Sequence, residues 1–343
     1  MTSPTFTVAV VIPCYQVEDQ IRTVIESLPE WVTYIVAVND ASTDRTAEIL
    51  RSLEVEEPRL KVLQHEVNQG VGGAMITGFK EALRIKADFI IKMDGDEQMR
   101  ADDLGGLLAP LLDGRADFAK GNRFRNPYEL ARMPRVRLVG NIILTFLTKA
   151  ASGCWHVVDV QNGFIAVTRE VLAAIPLDRL ERDYCFENSL LAHAATQSAA
   201  IIDVPIPAVY GNEVSNLKIS RVLVTFPPKL VYLLFARLLM RHVVHDLSTV
   251  AIYVSAGIPL LLFGVTFGGI NWWRSSVTGV PATTGTVVLA LLTFLLGFIL
   301  LLQAIDHDIR SAPRPRAPLR EITDQQVPSF FVREAPETTR LPD

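Results

Sequence analysis

Two stretches near the C-terminal end restrict what this chain can become. Thr249 to Trp273 carries no charged residue, and beyond Arg274 neither does Ser275 to Ile305. Within them, Ala251–Ile270 and Thr286–Ile305 are each about 20 residues, enough to cross a hydrocarbon layer roughly 30 Å thick. The positive mean hydropathy of +0.27 is concentrated there rather than spread along the chain. The chain therefore reads as a membrane protein with a large polar portion ahead of two spans. A span with no charge inside offers no ion path, so the pair reads as an anchor rather than a transporter.

Composition narrows the rest. A net charge of −4 over 343 residues gives no basic excess, so no nucleic-acid partner is expected. Cys14, Cys154 and Cys185 are odd in number and scattered, which fits buried thiols in a reducing compartment. Met1 to Phe6 has neither a basic start nor an apolar core, and no cleaved signal is expected.

Ahead of the spans, short apolar runs alternate with helical patterns. Thr7 to Ile12 is a β-branched run ended by Pro13, and Tyr34–Val38 is a second run ending on Asn39-Asp40. Ser42 or Thr43 can cap the helix that follows. Leu60–Leu63 is a third strand, and Asn68-Gln69-Gly70-Val71-Gly72-Gly73 opens another helix. The fourth, Phe89-Ile90-Ile91, leads into Lys92-Met93-Asp94-Gly95-Asp96-Glu97-Gln98. Such alternation predicts an α/β fold with a mostly parallel, doubly wound sheet.

In that fold, ligands sit outside the carboxyl ends of the strands. Pro13 and Tyr15, Asp40, and Asp94 with Asp96 then share one edge. Tyr15 can stack on a base, and Asp40 can accept from a base or ribose. The amides at Gly70, Gly72 and Gly73 can approach a ligand. Asp94, Asp96 and Gln98 form an oxygen-only set suited to Mg2+ or Mn2+, with Gly95 giving close backbone approach. A solvated acidic turn is the simpler reading of an isolated D-x-D. The order of these pieces on successive strand ends speaks against it.

The series Pro13-Cys14-Tyr15, Asn39 to Thr46, Asn68 to Ala74 and Asp94 to Gln98 resembles family 2 glycosyltransferases of the GT-A fold. Lys120 to Phe124, Met133 to Arg137, Gly140-Asn141, Asp159 to Phe164 and Tyr184 to Asn188 narrow the likeness. They resemble the polyprenyl-phosphate branch, the dolichol-phosphate mannose synthase-like enzymes, over about residues 6–245. The sequence departs from that pattern at Asn39, at Gln16-Val17 and at Val71, where relatives often carry Asp, Asn-Glu and Lys. The resemblance implies transfer of one sugar from a nucleotide-sugar to a polyprenyl phosphate. It implies a donor-sugar loop at Gln161 and Asn162, and a carboxylate at Asp183 or Glu187 acting as base or as a positioning group. Such an acceptor is already anionic and needs cations, which Arg123 with Arg135 or Arg137 can supply as bidentate forks. A surface ion pair is the plainer role of any one of these arginines. No Q-x-x-R-W motif of a processive polysaccharide synthase is present. A transferase to a hydroxyl lipid, and a membrane-tethered nucleotide-sugar binder without turnover, are the other readings.

Between the two regions, Pro227-Pro228 breaks a helical pattern, and the second piece has Leu230, Leu233, Leu234 and Leu238 on one side. Arg237, Arg241 and His245 lie on the other, as in a helix lying in the membrane interface. Basic residues before the first span and after the second (Arg310, Arg314, Arg316, Arg320) outnumber the single Arg274 between them. Both termini are therefore expected on the cytoplasmic side of the inner membrane. The expected organisation is a catalytic domain at 1–215, juxtamembrane helices at 216–247, spans at 248–306 and a disordered tail at 307–343. A homo-oligomer formed through the membrane part is compatible with this layout.

Overall fold

The computed structural model describes residues 6–123, 145–207, 219–245, 247–312 and 314–316, with the backbone alone for 219–225 and 245. Arg135 and Arg137, the rest of the 133–141 block, the loop 210–215 and the tail beyond 316 lie outside the described residues.

Among the described residues, seven strands make one mixed sheet: β1 (Val8–Cys14), β2 (Tyr34–Asn39), β3 (Leu60–Gln64), β4 (Phe89–Lys92), β5 (Phe118–Asn122), β6 (Ile165–Thr168) and β7 (Ile201–Pro205). Their spatial order is β3-β2-β1-β4-β6-β5-β7. β1 to β4 run parallel, and β7 runs parallel to β5. Only β6 is reversed, between β4 and β5. The reversal brings the segment before β6 to the same edge as the carboxyl ends of β1, β2, β4 and β5.

The apolar runs are continuous because helices cover both faces. On one face, α3 (Gly70–Arg84), α5 (Arg169–Ala174) and α6 (Phe186–Thr196) bury Met75, Phe79, Leu172, Phe186 and Leu190 against Val11, Val38 and Ile90. On the other, α1 (Ile21–Glu26), α2 (Thr46–Glu56) and α4 (Leu104–Leu112) bury Ile25, Leu53 and Leu108 against Val10, Ile35 and Ile91. The expected α/β architecture is present, and its three layers place the site at one sheet edge.

Two local expectations are corrected. Ser42 and Thr43 do not cap α2. The Ser42 hydroxyl donates to Asn39 Oδ1, and the carboxylate of Asp44 accepts from the amide of Thr46, where the helix begins. Nor do Pro227 and Pro228 divide the next helix, since α7 runs unbroken over Ile219–Leu239. Each proline removes a ladder hydrogen bond. Packing overrides that loss: Phe226, Leu230 and Leu233 on α7 bury themselves with Ala151 and Cys185 of the sheet-bearing part.

The faces of α7 also differ from the helical-wheel expectation. Arg237 is buried, while Tyr232, Phe235 and Leu239 are exposed. Its guanidinium grips the Asp308 carboxylate at 2.8 and 2.9 Å and donates to the carbonyls of Ala150 and Ala151. The spacing 230, 233, 234, 237 sets Arg237 on the same helical face as these leucines, so the expectation that put it opposite them does not follow the 3.6-residue period of one unbroken helix.

The two apolar helices are α8 (Thr249–Thr278) and α9 (Thr284–Arg310), both long enough to cross a membrane. They pair as an antiparallel hairpin through small residues that let backbones approach. A Cβ on Gly264 would lie 2.6 Å from the Phe294 amide nitrogen, and one on Gly297 would lie 2.8 Å from the Gly257 carbonyl oxygen.

Candidate active site

Three strand exits build the edge, and each bends through a non-glycine residue in the left-handed region: Gln16 after β1, Ala41 after β2 and Glu97 after β4. Such residues are uncommon and concentrate at functional sites. Tyr15 stands beside the first of them, 47% exposed. Asp94 and Asp96 stand before the third, with Gly95 buried between them and the Gln98 amide donating to Asp96 Oδ1 at 3.1 Å.

Asp40 is engaged by the protein itself. Its carboxylate accepts from the amides of Gln69 and Gly70, both at 2.8 Å, and pairs with His65 Nδ1 at 2.7 Å. It thereby ties the start of α3 to the end of β2. The amides of Gly72 and Gly73 donate to the carbonyl of Arg182. These amides, expected near a ligand, are used inside the fold. The glycines are needed for contact: a Cβ on Gly70 would lie 2.6 Å from the Arg182 oxygen, and one on Gly72 would lie 2.7 Å from the Arg182 carbonyl carbon. The segment just before α6 therefore lies flush on α3, and this fixes where Glu187 projects from the first turn of α6.

Glu187 does not stand alone. Lys92, at the last position of β4, is 1% exposed and reaches Asp94 Oδ1 at 2.6 Å and Glu187 Oε1 at 3.2 Å. Burial opposes its charge, but the two carboxylates outweigh that and raise its pKa to about 12. Lys92 and Lys120 are both paired in register with Ile165 of β6, so the three side chains share one sheet face. Lys120 is fully buried and donates to the Asn162 carbonyl. Burial pushes its pKa down to about 8, with Glu187 and Asp159 opposing the drop. A side chain at Gly163 would collide with Lys92 Nζ, so this glycine makes room for the lysine.

Neither lysine was assigned a role in the sequence. The signal was a charged residue carried by each of two apolar strands, Lys92 at the end of β4 and Lys120 in the middle of β5, where both faces are covered. Such a charge must find a partner.

Arg123, past the end of β5, forks onto the fully buried Asp159 through Nε at 2.8 Å and Nη2 at 3.2 Å. The fork orients its guanidinium at the sheet edge. Asp183 accepts from the Cys185 amide and from Lys229 Nζ at 2.8 Å, and Lys229 also reaches Glu181 at 2.6 Å. Burial lowers the Lys229 pKa, but these two carboxylates raise it more, to a net increase. Gln161 Nε2 reaches Thr148 Oγ1 at 3.5 Å. Asn162 is buried and its Nδ2 has no protein partner, as is true of Asn188 Oδ1. A buried amide left unmatched costs about 1–3 kcal/mol, which a ligand hydroxyl would relieve.

No cluster of three His, Cys, Asp or Glu groups exists among the described residues. Two carboxylates at a strand exit match a hard cation that completes its shell with water and phosphate oxygens rather than a closed protein cage. Asp94 and Asp96 fit that requirement.

Comparison with known proteins shows the family. Residues 9–175 match the model of glycosyl transferase family 2. UDP-N-acetylglucosamine–dolichyl-phosphate N-acetylglucosaminyltransferase of Methanococcus voltae is 30% identical over 243 residues, 67% of this chain and 94% of that protein. Undecaprenyl-phosphate mannosyltransferase of Micrococcus luteus is 28% identical over 185 residues, 54% of this chain and 74% of its own length. Among solved structures, glucosyl-3-phosphoglycerate synthase of Mycobacterium tuberculosis aligns with a TM-score of 0.48 and 22% identity, over 68% of this chain and 79% of that one. With its match to the family model and a relative aligned over nearly its whole length, the chain belongs to glycosyl transferase family 2 and is an enzyme of that class.

Proposed function

We propose that the protein moves a single sugar from a nucleotide-sugar to a membrane polyprenyl phosphate, inverting the anomeric centre in one displacement. The observation that carries this reading is the state of the two carboxylates that an alcohol acceptor would need as base. Glu187 is held by Lys92, and Asp183 by Lys229. A general base must be available to the proton it removes. An acceptor phosphate needs none, because it brings its own negative charge. It needs positioning, and Arg123, set in place by Asp159, offers a phosphate-binding guanidinium at the correct edge. The names of the curated relatives, which include dolichyl- and undecaprenyl-phosphate transferases, support the same acceptor class.

In this reading Tyr15 stacks on the base, and Asp40 acts by fixing the α3 start beside it. Asn162 meets the donor sugar through its unmatched amide. Asp94 and Asp96, with Gln98 close by, hold Mg2+ or Mn2+, which supplies Lewis-acid neutralisation of charge on the departing diphosphate. Lys92 holds Asp94 and Glu187 in register and adds a fixed positive charge to that edge. The hairpin of α8 and α9 keeps the site against the membrane that holds the lipid.

The test is transfer from a panel of labelled UDP- and GDP-sugars to undecaprenyl phosphate in purified membranes, with divalent metal and with chelator. The expected outcome is a metal-dependent, mild-acid-labile lipid product, reduced at least about a hundredfold in Asp96→Ala. Glycosylation of a lipid alcohol instead, with no product on the phosphate, would overturn the acceptor assignment and make Glu187 the base.

A further inference from the structure

At the far end of α6 from Glu187 lies a second polar site. α6 is 11 residues long, about 16 Å, so this site is separate from the sheet edge. A cavity of about 260 Å3 opens where the catalytic part rests on the base of the hairpin. Thr196 and Ser198 border it from the end of α6. Arg241 and His242 border it from the π-helical segment Met240–His245 that follows α7. Ser248 before α8, with His307 and Ser311 at the end of α9, completes the wall. Every lining residue is polar or basic.

The partners of these groups leave positive charge unmatched among the described residues. Asp308, the nearby carboxylate, is already engaged by Arg237, His242 and Trp155. His242 uses its other nitrogen on Ser248 Oγ, and His307 uses Nε2 on Thr249 Oγ1. Arg241 donates Nη2 to the Ser311 carbonyl and meets no carboxylate at ion-pair distance among the described residues. Its Nη1 is buried without a partner, and so is His307 Nδ1. Burial lowers the Arg241 pKa, which reflects the cost of holding that charge without a counter-ion. Two unmatched groups of this kind on one polar cavity describe a seat for an oxyanion.

We propose that this cavity binds the phosphodiester of an anionic phospholipid from the leaflet that borders the catalytic part. The lipid assignment rests on the spanning reading of α8 and α9, whose ends form the cavity wall at headgroup level. The site is independent of the reaction proposed above.

The full chain in nanodiscs of mixed phosphatidylcholine and phosphatidylglycerol, released for native mass spectrometry, tests this. Phosphatidylglycerol should be retained preferentially. Arg241→Gln should lower that retention about tenfold or more, as expected for loss of a charged hydrogen-bond donor. Ser198→Asp should do the same without removing any protein contact of Arg241. Ser198 sits at a φ of +58°, a conformation that Asp tolerates, and the new carboxylate would occupy the anion's place. Arg310→Gln, at an exposed arginine on the same end of the hairpin, should leave retention unchanged. Equal retention of both lipids, or equal losses in Arg310→Gln and Arg241→Gln, would overturn the proposal in favour of a water-filled cavity or diffuse surface charge. Stabilisation by inorganic phosphate in phosphatidylcholine discs, with no lipid retained, would assign the site to a soluble anion and overturn the lipid.

Discussion

Lys92 sits where the sequence advertises carboxylates, and it alters the behaviour expected of them. A fixed ammonium 2.6 Å from Asp94 makes that carboxylate a weaker metal ligand than a solvated D-x-D would offer. It also holds Glu187 away from solvent chemistry. Replacing it tests both effects with opposite signs. Lys92→Met should tighten Mn2+ binding to the substrate-free protein by on the order of tenfold, because a competing charge has gone. Sugar transfer should nevertheless fall by more than about tenfold, since Asp94 and Glu187 lose their common partner. Paramagnetic resonance of free Mn2+ reads the first effect without any turnover. Weaker metal binding in the variant would mean that Lys92 serves only the fold. Lys92→Arg should restore part of the transfer, limited by the space Gly163 leaves for the larger head group.

Among the elements, the contact between α3 and the segment before α6 decides whether Glu187 reaches the site. Gly72→Ala would place a methyl group against the 181–182 backbone, an overpacking that costs about 1–3 kcal/mol. Gly106→Ala, on α4 with nothing near its Cβ, should be neutral or stabilising by up to about 1 kcal/mol. Thermal melts of the two variants should separate in those directions, and Gly72→Ala should also lose transfer. Equal melts would show that the 181–182 backbone yields freely. The strands were legible because a sheet covered on both faces demands unbroken apolar runs, as in Val8–Ile12. The D-x-D was legible from its place after β4. The role of the glycines was not, because their neighbour lies more than a hundred residues away. The face of α7 that carries Arg237 was legible from its spacing to Leu230 and Leu233, but its partner was not, because Asp308 is on α9. Charges carried on buried strands, Lys92 and Lys120, were an unread signal that needed no tertiary knowledge.

On the scale of the whole molecule, a catalytic part and a membrane hairpin are joined by one buried ionic cluster. Arg237 on α7 meets Asp308 near the end of α9, and the same guanidinium holds the carbonyls of Ala150 and Ala151. Trp155 and His242 complete the carboxylate's shell. The cluster therefore ties three regions that are far apart in sequence. Its net contribution to stability is small in principle, because desolvating two charges offsets their attraction. Breaking it from one side is different. Arg237→Leu and Asp308→Leu should each destabilise by about 3–5 kcal/mol, since each leaves a buried charge without its ion-pair partner. The double variant should be less destabilised than the sum of the singles, as expected of residues that share one contact. It should not reach the parent, because the Ala150 and Ala151 carbonyls and His242 remain without their partners. Denaturation midpoints of the four proteins in the same detergent close the cycle, and transfer to lipid should follow the same ranking. Strictly additive losses would mean that Arg237 and Asp308 act on stability independently and that their ion pair does not couple α7 to α9.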